Sequence, residues 1–138
     1  MELTLSTLSG WATITLISAA GLVPLVARLQ GKKRAQPDSV PTRTHVVLGL
    51  GVVVVCFLHT GVVLPNVGAP GAAAGGMLAM IPACLGFALL IAHAGLGLQL
   101  RNVKLKDRIK KRRMHTLTAA LIFVAACTHV AAIVTTPR

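Results

Sequence analysis

Four of the five histidines form two pairs of identical spacing, His45 with His59 and His115 with His129, fourteen residues apart in each case. On an α-helix that gap is close to four turns, so the two imidazoles of a pair lie within about 40° of one another and about 21 Å apart along the axis. They share a face. An arginine precedes the first histidine of each pair by two residues, so the unit Arg-x-His, thirteen residues, His occurs twice, as Arg43, His45, His59 and as Arg113, His115, His129, shifted by 70 residues. Neutral imidazole is a nitrogen donor for transition metals. Two helices carrying such pairs in the same direction would present two sets of facing imidazoles at two levels.

The elements that must hold them are membrane spans. The 138 residues are 54% hydrophobic and 12% charged, with a mean hydropathy of +0.77, outside the range of soluble domains. At about 20 apolar residues per helical span, the length accommodates four spans with short loops, and no soluble catalytic domain is expected. The expected fold is all-α, an integral membrane four-helix bundle forming one domain over 1–138, with spans near 7–28, 44–64, 77–100 and 113–134. Pro65 and Asn66 end the second span, and a Gly, Ala and Pro connection leads to the third. Trp11 is a plausible interfacial anchor.

The net charge of +11 invites a nucleic-acid reading, but 13 of the 14 basic residues fall in two stretches between spans, Arg28 to Arg43 and Arg101 to Arg113. Four alternating helices put both stretches on one side. That is the positive-inside pattern, which places the basic loops in the cytoplasm and both termini outside, in the cell inner (plasma) membrane, with lipid and no nucleic acid as partner. The N-terminus lacks a basic region ahead of its first apolar run, so helix one is expected to remain in the mature protein. The 70-residue shift also lays span one on span three and span two on span four, giving two helix hairpins related by an axis along the membrane normal.

Spans two and four run in the same direction, so His45 should meet His115 near the basic side and His59 should meet His129 nearer the other. Each pair would clamp one haem iron between parallel helices, since a low-spin haem takes two strong axial ligands on opposite faces. Two haem b groups are the expected cofactors. Arg43 and Arg113 either meet haem propionates, which suit bidentate arginine, or simply continue the basic runs. Gly49, Gly61, Gly86, Gly95 and Gly97 either let backbones approach a macrocycle or pack helix on helix. His93 has no partner by spacing; contact with a propionate or a quinone, a hydrogen bond to a carbonyl and an alternative ligand pairing are all open. Cys56, Cys84 and Cys127 lie alone in apolar spans, without CxxCH or CxxC, and read as small core residues.

The His-x13-His pattern of His45, His59, His115 and His129 on helices two and four of four resembles the haem-bearing half of cytochrome b from quinol-oxidising complexes. It is also similar to the transmembrane domain of ferric reductases and NADPH oxidases. The resemblance implies that these four histidines are axial ligands of one inner and one outer haem. The chain lacks the further helices and quinol-site motifs of full-length cytochrome b, and a flavin or nicotinamide domain, so it implies a minimal electron conduit supplied by a quinone or a redox partner protein. Two alternatives stand beside that subunit: a small reductase of ferric chelate, quinone or oxygen, and a haem-free scaffold or metal transporter. The transporter is disfavoured because the acids, Glu2, Asp38 and Asp107, all lie outside the spans.

Overall fold

Each apolar run becomes one helix, because a segment surrounded by hydrocarbon must satisfy its backbone N–H and C=O groups internally. In a computed structural model these are α1 (Leu5–Leu29), α2 (Val40–Val63), α3 (Gly76–Leu100) and α4 (Arg108–Thr135), with a single 3-10 turn, Leu64–Asn66, after α2. The structure describes residues 4–31, 36, 38–67 and 76–135, and only the backbone of residues 76–78. Residues 1–3, 32–35 (with Lys32, Lys33 and Arg34), Pro37, the connection from 68 to 75 and residues 136–138 lie outside the described residues. All four helices are long and apolar enough to cross a membrane, with mean hydropathy of 1.7, 2.5, 1.9 and 2.3 in chain order. The chain is a multi-pass, all-α membrane protein.

The helix ends extend beyond the apolar runs for local reasons. Helix α2 starts at Val40 rather than near residue 44, because Pro41 falls in its first turn, where the missing N–H costs nothing. Helix α4 starts at Arg108, five residues before the expected boundary, and carries the basic run as its first turns. Its approach is pinned by Arg108 Nη1 donating to the Asn102 carbonyl at 2.8 Å and by Lys111 donating to the side chain of Gln99. Helix α1 ends where Gly31 takes φ of 72°, a left-handed conformation natural to glycine after a helix.

Helix α1 packs along α2 and α3 along α4, while α2 touches α3 and α1 touches α4 more sparsely. The bundle is thus two hairpins side by side, with α2 and α4 across one diagonal. Its interior is narrow. The core layer is Ala20, Val52, Leu90 and Ile122, one residue from each helix. Those four are two pairs separated by 70 positions, Ala20 with Leu90 and Val52 with Ile122. The repeat read from the histidines therefore recurs in the packing. Large apolar side chains face outward, among them Val47 at 68% exposed, Leu58 at 61% and Val124 at 60%, as expected where lipid solvates the outer surface. Cys56 packs against the core layer, whereas Cys84 and Cys127 are exposed. The expectation of three core cysteines holds only for Cys56, because each helix turns few of its residues inward and Cys84 and Cys127 lie on the outward faces.

Candidate functional site

Val52 and Ile122 stand midway along their histidine pairs, seven residues from each imidazole. The quartet thus brackets the core layer, with one histidine level about 10 Å to either side of it. All five histidines are half-buried. At the basic end the rings of His45 and His115 have centroids 6.0 Å apart and planes at 86°. At this end the bundle brings together the two histidines that the spacing pairs, with His93 lying against His115 as well.

Three of the four imidazoles are anchored through Nδ1 by the partner helix of their own hairpin. His45 Nδ1 lies 2.9 Å from the Ala20 carbonyl, His129 Nδ1 2.9 Å from the Ala79 carbonyl, and His59 Nδ1 3.1 Å from Ser9 Oγ. A carbonyl only accepts, so His45 and His129 carry their proton on Nδ1. The Ser9 hydroxyl lies 2.7 Å from the Leu5 carbonyl and donates its single proton there, so His59 also donates from Nδ1. In each neutral ring the lone pair is then on Nε2. Ser9 and Ala79 are themselves 70 positions apart, so the two far-end anchors are equivalent under the repeat.

The anchor of His45 has a covalent cause in α1. The Ala20 carbonyl would ordinarily accept from the N–H of residue 24, but that residue is Pro24, which has none. The carbonyl is left for the imidazole. Glycine supplies room at two further points: a Cβ on Gly10 would lie 3.2 Å from His59 Cε1, and one on Gly97 would lie 3.3 Å from His115 Cε1. Gly86 stands against Ala125, and nothing lies within 4 Å of a Cβ placed on Gly49, Gly61 or Gly95. Arg43, in the first turn of α2, and Arg113, in the second turn of α4, are exposed at the basic end. His93 bonds the Thr118 hydroxyl at 2.9 Å rather than a carbonyl, and stacks on His115 with centroids 3.7 Å apart.

No protein-family model, curated protein or solved structure matches the chain. What the site can do is judged from its own donor atoms. Two imidazoles flanking one metal, with bonds of about 2 Å and about 1 Å more from nitrogen to ring centre, have centroids about 6 Å apart. The 6.0 Å between His45 and His115 matches that spacing, and equally the edge-on contact of two rings. Protonated Nδ1 bound to carbonyl or hydroxyl, with Nε2 free, is the outer-shell arrangement of a metal-ligating histidine. His115 Nδ1 is buried without a hydrogen-bond partner. Among the described residues no group of three or more His, Cys, Asp or Glu side chains is disposed to hold a bare metal ion. The donor atoms of His45 and His115 are of the type and spacing that a cofactor taking two imidazoles per metal, such as haem, would need. Apolar cavities along the seam of α1 and α4, lined by Ile17, Ser18 and Phe123, touch no histidine.

Proposed function

We propose that the chain is a dihaem b-type membrane cytochrome that carries electrons across the bilayer as a subunit of a larger redox complex, with its basic loops cytoplasmic and both termini outside. The observation that supports this best is the set of anchored imidazoles. Three of four histidines have Nδ1 engaged by a backbone or hydroxyl oxygen, which leaves Nε2 as a fixed, neutral donor at two levels of the bundle. A scaffold histidine needs only one hydrogen bond to be satisfied; two matched levels on diagonal helices go beyond that need.

In this reading His45 and His115 hold one haem and His59 and His129 the other. Each bound haem supplies a one-electron iron couple. The protein's own part is positional: Ala20, Ala79 and Ser9 fix three ligand rings, and the hydrogen bonds raise ligand basicity. The Val52 and Ile122 layer separates the two levels with apolar side chains and excludes water from the space between them. Arg43 and Arg113 stand at the end where His45 and His115 lie, within the reach of a long guanidinium side chain for carboxylates at the bundle rim. A quinone or a redox protein would supply the electrons.

The test is a ligand series in detergent. His45→Ala and His115→Ala are each expected to remove one haem, the same haem, while His59→Ala and His129→Ala remove the other. Retention of two haems by all four variants would overturn the assignment.

A further inference from the structure

We propose that His93 is a positioning residue that holds His115 by ring stacking, in place of the Nδ1 hydrogen bond that the other three histidines have, and so makes the two haem sites inequivalent. The proposal rests on the bis-histidine reading above. Its origin is a break in the repeat. The counterpart of Ala20 is Leu90, and His115 makes no bond to it; the Nδ1 of His115 is buried with no hydrogen-bond partner among the described residues. At the same place α3 and α4 supply His93, Gly97 and Thr118, whose counterparts in the first hairpin are Val23, Ala27 and Leu48. One anchoring device has been exchanged for another.

The replacement is a closed loop of contacts. The His93 ring lies 3.7 Å from that of His115 and within 14° of parallel. The Thr118 hydroxyl, 3.0 Å from the carbonyl of His115, gives its only proton to it. It therefore accepts from His93 Nδ1 at 2.9 Å. The ring that covers His115 is thus tied back, through Thr118, to the backbone of His115 itself. Gly97, one turn along α3 from His93, sets its backbone against the edge of the same imidazole. Face and edge together stop the ring from turning about χ2 and maintain the 86° between its plane and that of His45. Stacking orients the ring but supplies no acceptor to Nδ1, so His115 lacks the hydrogen bond that raises ligand basicity in its three counterparts.

The experiment uses the full chain with haem bound and reads low-spin electron paramagnetic resonance, which reports the angle between axial ring planes, together with haem transfer to a scavenging apoprotein. Wild type is expected to show one strongly anisotropic signal from the near-perpendicular pair. His93→Ala should shift that signal and speed loss of that haem about threefold to tenfold, the factor an aromatic pair contributes, with the other haem unchanged. His93→Phe, which keeps the flat ring but loses the hydrogen bond to Thr118, should recover part of both. Thr118→Val, which keeps the His93 ring and loses the same hydrogen bond, should match His93→Phe, between wild type and His93→Ala, and serves where the alanine variant fails to fold. Unchanged signal and rate in both His93→Ala and Thr118→Val would overturn the proposal. So would loss of the haem in His93→Phe, which would make a His93 nitrogen a ligand. Wild type without haem would instead overturn the bis-histidine reading on which the proposal stands.

Discussion

Replacing Ser9 by alanine removes one hydrogen-bond acceptor and leaves the packing around it nearly intact. His59 Nδ1 loses its oxygen at 3.1 Å, and the helix itself loses only the back-bonds from the Ser9 hydroxyl to the Leu5 and Ser6 carbonyls. A buried N–H left without an acceptor costs about 1–3 kcal/mol. His59 is half-buried, so the lower part of that range applies, about 1–2 kcal/mol, or roughly fivefold to thirtyfold in affinity. Outer-shell partners of metal-ligating histidines, removed elsewhere, weaken metal affinity by about 10–100-fold, which overlaps this range. The assay is haem titration of the apoprotein in detergent, followed at the Soret band, with the two binding steps separated by using the His45→Ala background for the far-end site. Ser9→Thr retains the hydroxyl and should bind as wild type. An affinity unchanged within about twofold in Ser9→Ala would refute the reasoning, and equal weakening of both sites would show that Ser9 acts on the fold instead.

Pro24→Ala restores an N–H that competes for the Ala20 carbonyl. We expect α1 to become more stable, by up to about 3 kcal/mol on the soluble propensity scale. Haem affinity at the His45 level should fall only about twofold to fivefold, because a carbonyl has two lone pairs. Unfolding in mixed micelles and haem titration together check this, and an unaffected His45 site would contradict the role given to Pro24. Ile122→Ala opens the core layer and should destabilise the bundle by about 1–3 kcal/mol in the same unfolding assay, below most aqueous values because lipid also solvates the exposed surface. Arg43→Ala with Arg113→Ala should lower the reduction potential of the haem at the basic end if the guanidinium groups meet propionates; an unchanged potential with inverted topology would assign them to the positive-inside signal alone.

The legible part of this protein was whatever periodicity carries. Span number, helix direction and the pairing of His45 with His115 follow from composition and a fourteen-residue gap, because a helix converts spacing into facing. The hairpin repeat was visible only in six side chains, and the core layer of Ala20, Leu90, Val52 and Ile122 extends it. The anchors were not legible. A backbone carbonyl leaves no mark in the sequence, so Ala20 and Ala79 could not be told from any other small residue in a span. Pro24 did mark Ala20, four residues before it, but this signal has meaning only once α1 is known to lie against His45. Of the glycines singled out, Gly97 meets an imidazole and Gly86 meets Ala125, whereas Gly49, Gly61 and Gly95 have nothing near them. Gly10, beside His59, was not among them, since nothing local distinguishes a glycine beside an imidazole from one beside lipid. His93 failed the spacing rule because it acts across helices, through Thr118, and no periodicity within α3 records that.

The central claim is tested most directly by purifying the full chain in detergent with haem supplied, recording its reduced-minus-oxidised spectrum and extracting haem for a count per chain. Two b-type haems per chain with bis-histidine, low-spin spectra are predicted. A folded, colourless protein, helical by circular dichroism and binding no haem, would contradict the account.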